Sequence, residues 1–257
     1  MVSPYYHRLW GDHLHHGYWV SGNETKEEAQ LALTKRLAEK ANIKQGDKIL
    51  DVGCGFGGSS IYLAKKYNAE TTGITISQVQ VDMATVAAAK ANANSKFLLM
   101  DAEQLNFTES FDVVWSIESI SHYEDKAKFF VSAIKLLKPD GTLAIIDWFK
   151  KDGLSDKESK KFIKPIEEGM LVELQTMNDY KHIFENNEFK VTSFEDISDN
   201  CAKTWDISLD ILKNKDFWNL ALRHGSEFVK FLKSFKAMKA GFSSGNFIYG
   251  LIVAKKL

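Results

Sequence analysis

Cysteine and proline are scarce in this 257-residue chain, with two of the first (Cys54 and Cys201) and three of the second. Two cysteines cannot make a disulfide framework, so a reducing compartment and a cytoplasmic location are expected. Three prolines leave no room for a proline-rich linker. No run approaches the roughly 20 uninterrupted apolar residues that a membrane span requires. Charge of one sign is missing too. Lys and Arg number 33 against 34 Asp and Glu, a net charge of -1, which argues against a protein built around nucleic-acid phosphates. The opening segment, Met1 to Gly17, lacks the apolar centre of a signal peptide and holds four of the seven histidines. With 44% hydrophobic and 26% charged residues, the chain is globular rather than disordered or fibrous. Aromatic residues are plentiful: 17 Phe, 8 Tyr and 6 Trp make 12% of the sequence.

The pattern along the chain predicts an opening cover (1–22) followed by alternating helices and strands. Thr25 and Glu28 have capping-box spacing before a helix running to about Ala41. Strands are expected at Lys48–Gly53, Glu70–Thr75, Lys96–Met100, Phe111–Ser116 and Thr142–Asp147. Helices are expected at Ser59–Tyr67, Gln78–Ala91 and Lys126–Leu137, and Pro139-Asp140-Gly141 reads as a turn. Such alternation implies an α/β fold with a parallel, doubly wound sheet. Beyond Asp147 the reading is a charged helix at Ser155–Leu174, another at Met177–Asn186 and a strand at Phe189–Phe194. A mostly helical stretch follows, Asn200–Ala240, and the last strand is Asn246–Lys255. Insertions of this kind usually cap a ligand site. One domain is expected over 1–257, with a cofactor core at 23–150 and lid segments at 151–185 and 197–244.

Ile49 to Ser60 carries the strongest motif: an apolar strand enters Gly53, Gly55, Gly57 and Gly58, and a helix begins. Glycines there let the backbone turn tightly and a ligand approach it without meeting a Cβ. Gly53, Gly55 and Gly58 also satisfy G-x-G-x-x-G, a weak match to a dinucleotide site. The acid that such a site needs at the tip of the next strand is missing, because that strand ends Thr75-Ile76-Ser77. The acids lie elsewhere, at Asp51 inside the motif and at Asp101 after the third strand, where a carboxylate can accept from an adenine amine.

Together, the glycine motif, Gly73 to Gln80, Asp101-Ala102, Phe111 to Ser119 and the Leu136–Gly141 turn resemble class I S-adenosylmethionine-dependent methyltransferases. Small-molecule enzymes of the tocopherol O-methyltransferase and sterol C-methyltransferase group are the nearer likeness. It extends to Trp10–Trp19, similar to that group's His-His-Gly-aromatic segment, and to the tail. The resemblance implies a Rossmann-like seven-stranded sheet with its last strand antiparallel, an N-terminal cover and a helical lid insertion. It implies S-adenosyl-L-methionine as cofactor and S-adenosyl-L-homocysteine as product. Gly53, Gly55, Gly57 and Asp51 would hold the amino-acid end, with Ser116, Ile117 and Tyr18 about the methionine. Thr75, Ile76 and Gln80 would flank the ribose and adenine, and Asp101 and Ala102 would meet the adenine. Thr75 stands where many class I enzymes carry a ribose-binding acid.

Methyl transfer from a sulfonium asks the protein to align a nucleophile, exclude water and, for a phenol or acidic carbon, take a proton. His122, just past the fourth strand, is the candidate base or orienting group, and Glu118 is the next. His16, Trp19, Trp148, Trp205 and Trp218 are expected to wall an apolar acceptor pocket, such as one for a prenyl phenol, terpenoid or alkaloid-like molecule. Adjacent histidines cannot easily converge on one ion with His13, so no metal is expected. The segment Gly225–Gly241 reads as a basic amphipathic helix, covering the pocket or touching an anionic membrane surface transiently. Neither a nucleic-acid partner nor stable membrane insertion is expected, and the chain would act as a monomer or homodimer. The alternatives are an NAD-dependent oxidoreductase and a non-catalytic cofactor-binding homologue.

Overall fold

Thr25 starts the first helix as its spacing predicts. Its side chain accepts the Glu28 N–H, and the Glu28 carboxylate takes the Thr25 N–H in return. The helix is α1, Lys26–Lys40, in a computed structural model that describes residues 10–211, 213 and 226–257. There follow β1 (Lys48–Val52), α2 (Gly58–Tyr67), β2 (Glu70–Thr75), α3 (Gln78–Ala91), β3 (Ser95–Leu99), β4 (Phe111–Ile117), α4 (Lys126–Leu136) and β5 (Leu137–Lys150). The second half adds α5 (Lys164–Met170), α6 (Met177–Glu185), β6 (Phe189–Asp196), α7 (Lys203–Ile211), α8 (Ser226–Ser243) and β7 (Phe247–Lys256).

The seven strands form one sheet in the order β3-β2-β1-β4-β5-β7-β6. β1 to β5 pair in parallel, and β7 runs antiparallel between β5 and β6. The strand order turns back between β1 and β4, and that crevice at their carboxyl ends is where an open α/β sheet places its ligand. Alternate residues of each buried strand feed two cores. Ile49, Trp115, Ile146 and Leu251 pack with Leu33 and Leu37 of α1 on one face. Leu50, Val114, Ile145 and Ile252 pack with Phe129, Phe130, Tyr180 and Phe184 of α4 and α6 on the other.

Two expectations change. The Pro139-Asp140-Gly141 turn is a bulge inside β5, where Leu137 pairs with Phe111 and Thr142 with Val113; Asp140 takes a φ of +61° to make it. The helix read over Ser155–Leu174 is broken. A short turn (Asp156–Glu158), a π turn (Ser159–Ile163) and α5 share it, and Leu171 ends it at a φ of +53°. Charge periodicity carried that reading past the point where Ile163, Ile166 and Leu174 must turn into the core. Among the described residues no helix is long and apolar enough to cross a membrane. Phe217 and Trp218 lie outside the described residues, as do the side chains of the first part of α8.

Candidate active site

The crevice opens into a cavity of about 640 Å³. The cover, the glycine loop and the turns after β2, β3 and β4 line it, and Trp148 closes one wall. Gly53 leaves β1 with a φ of +78°, and a Cβ there would sit 2.0 Å from the Ser119 hydroxyl oxygen. That close approach lets the loop and the turn after β4 share one wall. Asp51, 3% exposed, accepts the Ser60 hydroxyl at 2.6 Å. Burial without a cation raises its carboxyl to a pKa of about 6, against the Ser60 hydrogen bonds. A buried carboxylate facing a cavity, bonded to the Ser60 hydroxyl and backbone and to no cation among the described residues, suits an ammonium or sulfonium group.

Across the crevice, the Thr75 hydroxyl donates to Gln80 Oε1 at 2.6 Å, so the missing strand-tip acid is replaced by a linked hydroxyl and amide. Ile76, 79% exposed, lines the cavity with them. Asp101 caps the 3₁₀ turn Ala102–Gln104, accepting Glu103 N–H at 2.9 Å.

Past β4, Glu118 adopts a φ of +53°. One of its oxygens, Oε1, accepts three donors: the His16 N–H at 2.6 Å, His16 Nδ1 at 2.8 Å and the Tyr249 hydroxyl at 2.5 Å. Burial opposes the charge, but His16 and the hydrogen bonds win and hold this carboxyl below its ordinary value. His122 follows on the turn Ile120–His122, its ring 6.0 Å from that of Trp148. The imidazole is open to solvent on one side and enclosed on the other. Partial burial lowers its pKa, with Lys126 adding to the fall and Glu118 and the Leu171 carbonyl opposing it. At neutral pH the ring is therefore an unprotonated proton acceptor.

The structure thus brings Asp51, Gly53, Gly55, Thr75, Ile76, Gln80, Asp101, Ala102, Ile117, Glu118, His122 and Trp148 to one cavity. Others on the expected list line no part of it. Tyr18 faces away, its ring 4.9 Å from the Arg36 guanidinium, because the chain there pairs with α1 through the Tyr18 N–H and Ala29 O. Trp19 is buried away from the cavity, its indole N–H donating to the Glu24 carbonyl at 3.1 Å. Gly57 is the left-handed cap of α2, and the Ser116 hydroxyl pins β4 to the Val52 carbonyl at 3.1 Å. His16 and Trp205 pack behind Glu118, ring centroids 4.6 Å apart. Trp218 lies outside the described residues.

Sequence reasoning weighed His13 and His15 as metal ligands, yet with Leu14 they supply the cover's share of the wall; Ser119 and Tyr123, bonded to each other at 2.7 Å, it passed over. A carbonyl only accepts, so His15 Nδ1 must donate to His16 O at 2.8 Å. Burial keeps both His15 and His13 neutral, His13 with a pKa of about 3, so His15 Nε2 accepts from His13 Nδ1 at 3.0 Å. The histidine run is a hydrogen-bonded strap. Among the described residues no group of three or more His, Cys, Asp or Glu could hold a metal ion.

The seven-stranded sheet with its antiparallel β7, and the glycine loop and buried acid at its switch point, is the S-adenosylmethionine-dependent methyltransferase fold, and S-adenosyl-L-methionine is the cofactor. The family model for mycolic acid cyclopropane synthetase matches residues 4–247, and the chain belongs to that family. It is 30% identical to the chloroplastic tocopherol O-methyltransferase of Arabidopsis thaliana, over 99% of this chain and 79% of that one. It is 32% identical to the 27-O-demethylrifamycin SV methyltransferase of Amycolatopsis mediterranei, over 97% and 92%. The solved structure of mycolic acid cyclopropane synthase CmaA1 with SAH and CTAB superposes with a TM-score of 0.83 at 22% identity, covering 94% of this chain and 89% of that one. The chain is an enzyme, a methyltransferase that acts on small molecules, and the oxidoreductase and non-catalytic alternatives fall.

Proposed function

We propose that the enzyme methylates a neutral, largely apolar or aromatic hydroxyl acceptor of the prenyl-phenol or natural-product type, with His122 taking or orienting the acceptor's proton. What carries this reading is the lining. Among the described residues, six carboxylates (Asp12, Asp51, Asp101, Glu103, Glu118 and Glu124) and no Lys or Arg face the cavity, beside Trp148, Ile117 and Leu14. A phosphorylated or carboxylate acceptor would meet like charge and, among the described residues, no cation to pair it. When bound, the cofactor supplies a methyl group on an already positive sulfur, so the leaving group needs no acid. The chain's own residues hold the two reactants in line, exclude water and accept one proton.

On this reading Asp51 pairs with the cofactor's ammonium while Gly53 and Gly55 carry its amino-acid end. Thr75, Ile76 and Gln80 meet the ribose and adenine, Asp101 and Ala102 the adenine edge, and Ile117 the methionine. Asp51 must be ionised to do this, so affinity for S-adenosylhomocysteine should hold above about pH 6 and weaken as pH falls through that value. Asp51→Asn should weaken it by about 1.5–3 kcal/mol, roughly ten- to a hundredfold, at neutral pH and remove the pH dependence. Calorimetry between about pH 5 and 8 checks both.

The acceptor is tested by labelled methyl uptake from S-adenosylmethionine into tocopherols, prenyl hydroquinones, sterols, indole alkaloids and phosphoethanolamine. Neutral phenols should exceed the phosphorylated amine by at least about a hundredfold in kcat/KM. Equal or better use of phosphoethanolamine would sink the reading.

A further inference from the structure

Asp147 is fully buried (0% exposed) in β5 opposite Gly250 of β7, one residue past the last pairing of β4 with β5. Each of its oxygens accepts one backbone N–H. Oδ1 takes that of Trp148 at 2.8 Å and Oδ2 that of Ser121 at 3.0 Å. Ser121 is the residue before His122, and His122 and Trp148 both line the cavity with rings 6.0 Å apart. Among the described residues no cation forms an ion pair with Asp147. The nearest, Lys126 at the start of α4, gives its Nζ proton to the Tyr123 carbonyl at 2.8 Å.

We propose that Asp147 is a positioning residue for methyl transfer, one carboxylate oxygen fixing the turn that carries His122 and the other fixing the strand end that carries Trp148. The proposal rests on the reading of His122 and Trp148 as acceptor-facing.

The physical case is that the fold alone does not want this charge. The titratable and charged groups around it are Tyr123 from the turn, Lys126 from α4, Tyr180 from α6, Tyr249 from β7 and Glu118 past β4. None of them donates to it. Burial raises its pKa to about 6, against the two N–H bonds and Ser121, with Glu118 adding to the rise. A folded-state pKa above the unfolded value favours folding only while the group is protonated. That advantage disappears as pH climbs from about 4 to about 6, and above this the buried anion is a burden on the fold. An ionised carboxylate offers charge-assisted acceptance to both N–H groups at once, which an amide cannot match. A residue that costs stability while gripping two site elements is doing so for the site.

Asp147→Asn tests this on the full chain. Its melting temperature should equal or exceed that of the parent at about pH 7.5, and the difference should shrink toward about pH 4. Affinity for S-adenosylhomocysteine should stay within about twofold. Labelled methyl transfer to the best acceptor of the panel should fall by about ten- to a hundredfold, the cost of misplacing a reacting group. A lower melting temperature at pH 7.5, or turnover within about twofold of the parent, overturns the proposal. Should Asp147→Asn not fold, His122→Asn gives the second measurement. With S-adenosylmethionine saturating, so that the protonation of Asp51 does not limit the rate, its residual turnover should keep an acid limb near pH 6, the protonation of Asp147, and a flat profile there overturns the proposal. The melting arm needs no acceptor, so a parent enzyme that methylates nothing in the panel counts against the proposed function and not against this assignment.

Discussion

Replacing His122 with Asn should lower methyl transfer by about 10²- to 10⁴-fold, the usual contribution of a positioned base, while affinity for S-adenosylhomocysteine stays within about twofold. The division follows from where the ring stands. It is at the mouth of the cavity, beside Trp148 and past the end of β4, whereas the proposed cofactor groups Asp51, Thr75 and Asp101 lie on the glycine loop and the turns after β2 and β3. Only the unprotonated ring accepts a proton, so activity is present above its folded-state pKa and lost below it. That pKa lies under 6.5, because the enclosed side of the ring disfavours its charged form. In the parent at saturating cofactor, where Asp51 does not limit the rate, His122 and Asp147 both titrate on the acid side, so turnover should fall with a slope approaching two protons. His122→Asn should leave a slope of one. A variant with parental turnover would remove His122 from the chemistry.

The turn that bears His122 follows from local information: a strand, its end and a titratable side chain just beyond. The same holds for the Thr25–Glu28 cap and the glycine loop, whose rules span a few residues. What was not legible depends on pairings across long stretches of chain. Asp12, His13, Leu14 and His15 line the cavity, yet which side chains of Trp10–Trp19 turn inward is decided elsewhere. Tyr18 is drawn out by Arg36 and Ala29 of α1, and Gly17 is tied to the Thr204 hydroxyl of α7 at 3.2 Å. No periodicity in ten residues encodes those partners. Asp147 escaped notice for a related reason. In sequence it ends an apolar strand and looks like the first residue back in water, and only the 3₁₀ turn folding over it makes it a buried ion.

The largest effect on stability should come from Glu118. Glu118→Ala leaves the His16 N–H, His16 Nδ1 and the Tyr249 hydroxyl, the last on a fully buried residue, without their shared acceptor. Stripping one partner from a buried, charged network costs about 3–5 kcal/mol. The loss should appear in two ways. The melting temperature falls, and amide exchange quickens over Gly11–Tyr18, because Glu118 ties this cover to β4 from 102 residues away. Backbone conformation separates charge from strain. At a φ of +53° an alanine keeps the left-handed penalty and a glycine does not, so Glu118→Gly should be less destabilised than Glu118→Ala by about 1 kcal/mol. The sign of the pH dependence is fixed as well. The folded-state carboxyl is held below its ordinary value, so its contribution is complete above about pH 4.5 and drains away as pH falls through the folded-state pKa. Neither variant should show that drain, and their melting temperatures should converge on the parent's in acid. Equal exchange over Gly11–Tyr18 in parent and Glu118→Ala would mean that the cover is held by α1 and α7 alone. Glu118 would then face the acceptor without governing who enters. If exchange quickens, a carboxylate that lines the cavity also latches the cover, and closing over the site and setting its charge are one act of the same side chain.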